Sequence, residues 1–243
     1  GLVVIQGGSS QTGSSLNITN GGIVRKSSGT GRTDITCNNN GTVEVQVGIL
    51  WVYGQSSLGN YSASPGAEIQ IVGTSDIPHI VSGSLSGSLS LGGVSLSGAT
   101  VVAGSTVKVV NNGVSVTGTT FGSGSTLNED FSYSQITFNT DTTIPNVNLG
   151  GGFIRGSGNL TVTNVFNWNA GEMGDPGTEA SAATIIASGA TMNLNPGTGS
   201  STINLRSGRT LINRGTIIYS SAQVNSGQPF SIDNATISNE TGG

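Results

Sequence analysis

The sequence is poor in cysteine, histidine and charge. Its 243 residues include one Cys, one His and 8% charged residues, compared with about 25% charge in average globular domains. A single cysteine cannot form a disulfide framework within the chain, and one Cys with one His cannot build a zinc site. Eight Lys and Arg against twelve Asp and Glu cannot neutralise a phosphate backbone. We therefore expect no nucleic-acid partner and no cofactor.

Long apolar runs and helix-forming residues are also scarce. No run approaches the ~20 residues that a membrane helix needs, so we expect no membrane span. No N-terminal segment has the pattern of a signal peptide, so any such signal was removed or lies upstream in a larger parent chain. Ala, Leu, Glu and Lys are too few for a helical bundle. What is abundant is Gly, Ser, Thr and Asn, roughly half of the chain. Short Val, Ile and Leu runs recur among them and argue against disorder.

A short turn-and-strand pattern repeats along the chain. Gly, a second residue that is usually small, Thr and an aliphatic residue follow one another at 104–107, 124–127, 189–192 and 208–211. Copies of the pattern begin at Gly104 and Gly124, and again at Gly189 and Gly208, which gives a period of about 20 residues. Periods of about 20 to 25 residues are typical of a solenoid with one coil per repeat.

Alternating apolar and polar residues, as in Thr-Val-Glu-Val-Gln-Val at 42–47, predict strands with one buried face. The sequence thus predicts an all-β fold, a single right-handed parallel β-helix spanning residues 1–243. At roughly 22 residues per coil it would have about eleven coils, and at ~4.8 Å per coil a rod of about 50 Å. A stretch rich in Gly, Pro and acidic residues at 169–181 predicts a loop that leaves the coil.

Both ends of the sequence carry strand patterns without a capping element. Solenoids normally need caps, because a bare end coil exposes unpaired backbone groups. We therefore expect one unit of a longer array or fibre, whose partners are copies of itself head to tail or adjoining repeats of the same chain. The predicted end-to-end interface consists of Leu2, Val3, Val4, Ile5, Ile237 and Asn239.

Several segments resemble repeats in very large secreted surface proteins of environmental bacteria. These segments lie at 22–31, 38–46, 156–163, 166–171 and 211–216. More broadly, the chain is similar to the filamentous-haemagglutinin and autotransporter class of β-helical adhesins. The resemblance implies an extracellular or cell-surface β-solenoid that acts as a stalk, fibre or adhesin. It carries over no catalytic residue.

The residues give little support for catalysis. His79 has no nucleophile elbow to serve, so we interpret it as a structural histidine, and Cys37 as an inert small residue. Neighbouring Glu129 and Asp130 should point to opposite faces of a strand, which excludes them as a pair. Asp130 and Asp141 remain conceivable as a pair across a coil. Three arginines cluster without an acidic companion in sequence: Arg206, Arg209 and Arg214.

Two kinds of binding site stay open. The acidic segment with Glu172, Asp175 and Glu179 is a weak calcium candidate, since carboxylates on flexible turns suit a hard cation. The aromatic residues Trp51, Tyr53 and Trp168 are weak candidates for contact with a surface glycan. Thr-x-Thr triplets at 117–119, 140–142 and 161–163 leave an ice-ordering face as a third possibility.

We therefore expect a non-enzymatic, structural or adhesive extracellular rod that stacks end to end on a microbial surface. The alternative is a β-helix that binds or cleaves polysaccharide. A uniform polar exterior with bare end coils would favour the rod, and a groove with convergent carboxylates and exposed aromatics would favour the alternative.

Overall fold

Short strands joined by tight corners make up the fold in the computed structural model. It describes residues 1–6, 10–73, 78–174, 182–196, 202–206, 208–220 and 230–240, without the side chains of 10–15. These residues form thirty strands and no helix, and their strand pairs are parallel. No described segment is thus a helix able to cross a bilayer. The all-β parallel solenoid predicted from the repeats is confirmed.

The chain forms two compact units, residues 1–125 and 126–243, and we describe each by itself. The assignment of 1–243 to one domain stays a prediction. The first unit contains β1 (Leu2–Gln6), β2 (Ser10–Ile18), β3 (Ile23–Ser28), β4 (Arg32–Asn39), β5 (Thr42–Val45), β6 (Ile49–Tyr53), β7 (Ser56–Ser57), β8 (Asn60–Ala63), β9 (Glu68–Val72), β10 (His79–Val81), β11 (Ser84–Ser86), β12 (Ser88–Gly92), β13 (Val94–Ser97), β14 (Thr100–Val101), β15 (Thr106–Val109), β16 (Val114–Thr117) and β17 (Thr120–Phe121).

The second unit has the same kind of short strands. They are β18 (Thr126–Glu129), β19 (Gln135–Phe138), β20 (Thr142–Leu149), β21 (Phe153–Arg155), β22 (Leu160–Trp168), β23 (Gly171–Met173), β24 (Ala183–Ile186), β25 (Thr191–Leu194), β26 (Ile203–Arg206), β27 (Thr210–Asn213), β28 (Thr216–Tyr219), β29 (Phe230–Asp233) and β30 (Thr236–Asn239).

Each turn of the first unit adds one strand to a seven-stranded sheet in the order β1-β3-β5-β8-β11-β14-β17. Residues alternate between the interior and the outside, as the burial of every second residue in β5 shows. Because the register is kept from turn to turn, apolar side chains stack along the axis in the interior. One such ladder consists of Val3, Val24, Val43, Tyr61, Leu85, Val101 and Phe121.

The interior of the second unit is built in the same way, with larger side chains. Its strands align a ladder of aliphatic and aromatic residues that is buried except at its last residue, Ile217, which is half-buried. That ladder runs through Leu127, Val147, Phe166, Met192 and Ile217.

An asparagine ladder lies on the outer face of the second unit. Asn193 donates an amide hydrogen bond to Asn167, Asn167 to Asn148, and Asn148 to Asn128, at N···O distances of 2.8, 2.8 and 2.7 Å. These residues are paired in register on successive turns and are half-buried. The ladder therefore adds side-chain hydrogen bonds parallel to the backbone hydrogen bonds between turns.

The turns differ in length although the strands stay in register. Ser84 pairs with Thr100, whereas Glu172 pairs with Asn204, a partner twice as far along the chain. The number of turns also differs slightly from the eleven expected from a constant period.

Part of the stretch predicted to leave the coil belongs to the solenoid wall. Within 169–181, residues Gly171–Met173 form β23, which pairs with β21 and β26. Met173 is fully buried in the interior, as expected for a wall strand. Residues 175–181 lie outside the described residues.

Stacked corners leave no room for a side chain at some glycines. At Gly54, a Cβ atom would lie 2.2 Å from the carbonyl oxygen of Cys37 in the preceding turn. That separation is far below van der Waals contact, so the corner of one turn rests directly on the backbone of another. Glycine is required here for close approach, not for a special φ.

Candidate interaction surfaces

Strand β1 forms an uncovered edge of the first unit. Leu2, Val3 and Val4 are 53%, 47% and 46% exposed, and Ile5 is half-buried. Val3 and Ile5 take the inward register positions, because they pair with buried residues of β3. A cavity of about 220 Å³ opens beside Leu2 and Val3. The interior apolar ladder is therefore exposed to solvent at this edge.

The last strands of the second unit are uncovered in the same way. Ile237 is 40% exposed although it pairs with the fully buried Leu211, and Ile232 is 50% exposed although it pairs with the fully buried Leu205. Asn239 lies on β30 and accepts a hydrogen bond of 2.7 Å from the amide of Asn213. Side chains at inward positions of this unit are thus also exposed to solvent at its last strands.

Trp51 and Tyr53 form an aromatic pair on the outer face of the first unit. Their ring centroids are 6.2 Å apart, and both side chains are half-buried. The Arg32 guanidinium lies 3.3 Å from the Trp51 ring centroid and donates a 3.0 Å hydrogen bond to the Tyr53 hydroxyl. Asp34 accepts from the same guanidinium at 2.5 and 2.7 Å. The cluster holds two rings rigidly at the surface, while the guanidinium occupies part of the Trp51 face.

Trp168, the third aromatic candidate for a glycan contact, is an interior residue. It has no exposed surface, and its ring stacks with Phe166 at a centroid distance of 6.1 Å and meets Phe230 edge-on at 6.1 Å. The prediction of a glycan contact at Trp168 is wrong. In the segment Phe-Asn-Trp-Asn, alternation turns both aromatic rings inward and both asparagines outward.

The calcium candidate is described only at Glu172, since Asp175 and Glu179 lie outside the described residues. Glu172 is 8% exposed, and its carboxylate lies 3.4 Å from the Nε of Arg206. Among the described residues, no group of three or more acidic, His or Cys side chains could hold a metal ion.

His79 lies in a buried polar cluster of the first unit. Its Nε2 is 2.7 Å from the Ser57 hydroxyl, which is 2.6 Å from the Tyr61 hydroxyl. Burial lowers the pKa of His79 to about 4 and raises the pKa of the fully buried Cys37 to about 12. The histidine is therefore neutral and the thiol protonated at neutral pH, and neither side chain reaches solvent.

The carboxylates weighed for glycoside chemistry lie in different environments. Glu129 is fully buried and Asp130 exposed, as strand alternation predicted, and burial raises the pKa of Glu129 to about 7. Asp141 accepts hydrogen bonds from the backbone and side-chain nitrogens of Asn159, so it joins two turns of the solenoid.

The three clustered arginines also have separate partners. Arg206 lies beside Glu172, and Arg214 forms a 2.9 Å ion pair with Glu240. Arg209 is buried and donates a 2.9 Å hydrogen bond to the hydroxyl of Thr184. The acidic companion that the sequence did not show for Arg206 comes from β23, the strand of the neighbouring turn.

The Thr-x-Thr triplets do not form one outer face. Thr142 is only 4% exposed and pairs with Leu160, and Thr161 pairs with Thr143 instead of a residue of the 140–142 triplet. The ice-ordering interpretation is therefore wrong for these triplets.

Sequence reasoning missed a row of side chains on the outer face of the second unit. Phe153 pairs with Glu172, which pairs with Asn204, so an aromatic ring, a carboxylate and an amide lie on successive turns. Phe153 and Arg155 occupy alternate positions of β21, the same spacing that singled out Trp51 and Tyr53. That spacing is visible in the sequence and could have indicated an outer-face pair, but the register between strands far apart in the sequence is not visible there.

No family model matches the chain, and neither a curated protein nor a solved structure shows a significant match to it. The resemblance to bacterial surface proteins is supported at the level of a parallel β-solenoid with a repeat architecture.

Proposed function

We propose that this chain is a structural or adhesive β-solenoid that stacks end to end with copies of itself into a stalk or fibre on a microbial surface. The single observation that carries the proposal is the uncovered apolar ladder at β1, where Leu2, Val3 and Val4 are about half exposed. The inward residues Ile232 and Ile237 of the second unit form another uncovered apolar surface.

Association of such edges has a clear driving force. An uncovered strand presents unpaired N–H and C=O groups that a parallel strand of another copy can pair. Each aliphatic side chain that becomes fully buried contributes about 1.5–3 kcal/mol. The net charge of −4 is small for 243 residues, so repulsion between copies is weak.

An extracellular, adhesive role is supported by the resemblance to secreted bacterial surface proteins. The outer face agrees with it, since Asn, Thr and Ser side chains cover the strands and form ladders such as the one through Asn148 and Asn167. The proposal includes no catalytic step, and the single histidine and the single cysteine of the sequence are buried.

Stacking is tested by negative-stain electron microscopy and sedimentation of the purified chain across a concentration series. We expect filaments that grow with concentration in the unaltered chain, and loss of filaments in Val3→Lys and in Ile237→Lys. Leu58→Lys is the matched control, because Leu58 is 69% exposed but lies in a corner between β7 and β8. Single particles at every concentration would contradict the proposal, as would equal loss of assembly in all three variants.

The alternative function, polysaccharide binding, is favoured by the rigid surface pair of Trp51 and Tyr53. Exposed aromatic rings with hydrogen-bonding neighbours suit sugar rings. Trp51→Ala and Tyr53→Ala should weaken binding to surface polysaccharide without changing assembly. Unchanged binding in both variants would remove this candidate.

A further inference from the structure

A cleft with a glycine floor opens on the outer face of the second unit. Its volume is about 290 Å³, and its floor is formed by Gly150, Gly151, Gly152 and Gly171. A Cβ at Gly152 would lie 2.4 Å from a carboxylate oxygen of Glu129 and 2.6 Å from the carbonyl oxygen of Ser134. Gly152 and Gly171 also have φ values of +57° and +93°, which disfavour other residues. The local backbone thus requires glycine, and the absence of side chains leaves the cleft open.

One wall of the cleft offers three different contacts in a row. Phe153, Glu172 and Asn204 line it and are paired in register on successive turns, about 4.8 Å apart. The Asn204 amide is held in place, because it donates to the Thr202 hydroxyl at 3.2 Å and accepts from Ser231 at 2.8 Å. An apolar ring, a carboxylate acceptor and an oriented amide therefore face the same space.

Charged side chains of both signs lie around the cleft. The carboxylate of Glu172 lies 3.4 Å from the Nε of Arg206. Arg155 lies with its guanidinium 4.5 Å from the Phe153 ring centroid and donates a 3.0 Å hydrogen bond to Gln135. A neutral ligand with several hydroxyl groups matches the carboxylate acceptor of Glu172 and both the donor and the acceptor of the Asn204 amide.

We infer that this cleft binds a neutral sugar unit of a polysaccharide. The apolar face of the sugar ring packs on Phe153, and its hydroxyl groups donate to Glu172 and exchange hydrogen bonds with Asn204. The cleft volume of about 290 Å³ lies at the lower end of the roughly 300–1,000 Å³ that small-ligand sites occupy. The residues that line the cleft include none of those in the proposed stacking edges and neither member of the aromatic pair of the first unit.

Binding is measured by isothermal titration of the full chain with neutral hexaoses, namely cellohexaose, xylohexaose, mannohexaose and maltohexaose, and with an oligogalacturonate as the anionic probe. We expect at least one neutral hexaose to bind with a dissociation constant below about 1 mM. Phe153→Ala should weaken that binding by about tenfold or more, and Asn204→Ala by about threefold or more. Phe153→Tyr should retain it, because the ring is kept.

Tyr219→Ala is the matched control, since it removes a half-exposed aromatic ring of the same unit that does not line the cleft. Circular dichroism establishes that each variant is folded, and Asn204→Ala keeps the test decisive if Phe153→Ala does not fold. Failure of every neutral hexaose to bind at about 10 mM would overturn the inference. Tighter binding of the oligogalacturonate, or equal loss of binding in Tyr219→Ala and Phe153→Ala, would overturn it as well. Filament formation is read separately, so the outcome does not depend on stacking.

Discussion

Substitution of Asn167 by alanine tests whether the asparagine ladder stabilises the solenoid. Asn167 donates one amide hydrogen bond to Asn148 and accepts one from Asn193, each at 2.8 Å. Asn193 makes only one bond within the ladder, because the next residue in register is Ile218. Asn167→Ala therefore removes two ladder bonds and Asn193→Ala removes one.

The magnitude follows from the number of bonds lost. A hydrogen bond contributes about 0.5–1.5 kcal/mol net, and these side chains are half-buried, so water replaces part of each loss. We expect Asn167→Ala to lower the free energy of unfolding by about 2 kcal/mol and Asn193→Ala by about 1 kcal/mol. At about 2–4 °C per kcal/mol for a chain of this size, the melting temperature falls by about 4–8 °C and about 2–4 °C.

The assay is urea unfolding followed by the fluorescence of Trp168, the last residue of the strand that carries Asn167. A Trp51→Phe background leaves Trp168 as the only tryptophan. Asn164→Ala serves as control, because Asn164 is exposed and donates a single bond outside this ladder, to Asn146. Equal losses in Asn167→Ala and Asn193→Ala, or no loss beyond that of the control, would refute the reasoning.

Three further predictions concern buried titratable groups and corners. Since burial lowers the pKa of His79 from 6.5 to about 4, the unfolded chain binds this proton at a higher pH than the folded chain. Stability should therefore fall as the pH drops from about 6.5 towards 4. His79→Gln should remove this dependence of the free energy of unfolding on pH, measured by urea titrations. Burial raises the pKa of Glu129 from 4.5 to about 7, so the unfolded chain loses this proton at a lower pH than the folded chain. Stability should therefore fall as the pH rises from about 4.5 to 7. At pH 8, Glu129→Gln should then raise the free energy of unfolding by about 1–3 kcal/mol, measured by urea titration. A free energy of unfolding equal to that of the unaltered chain would contradict this prediction. Gly54→Ala should lower stability by about 2 kcal/mol or more, because its Cβ meets a carbonyl oxygen, whereas Gly31→Ala, with no atom within 4 Å, should change calorimetric melting little.

Strand alternation was enough to predict much of the fold. The segment at 42–47 predicted a wall strand, and β5 follows the predicted alternation of half-buried and buried residues. The same rule, applied to Phe166 and Trp168, would have placed both rings inside. The expectation for Trp168 fails because its asparagine neighbours, whose composition is typical of a surface, point outward while the ring points inward.

Other features could not be read from alternation. Lys26 and Arg209 occupy buried positions because backbone and hydroxyl oxygens accept from them: Lys26 donates to the carbonyl oxygens of Ser28 and Gly29, and Arg209 to the hydroxyl of Thr184. The positions of those acceptor oxygens depend on the conformation of the corners and on the alignment of neighbouring turns. The pairing of Glu172 with Phe153 and Asn204 likewise depends on the lengths of whole turns, which differ too much for one repeat period to predict.

The unequal turns have a consequence for how such a chain can change. Paired strands keep their register in the short turn from Ser84 to Thr100 and in the turn of twice that length from Glu172 to Asn204. The pairing of the wall strands therefore does not depend on the length of the segments that connect them. Extra residues between strands cost mainly the entropy of a longer loop, about 0.6 kcal/mol for each doubling of its length. The solenoid can therefore acquire or display inserted peptides at its corners while the stacked interior stays the same, which makes it a scaffold on which new surface loops can be exchanged one turn at a time.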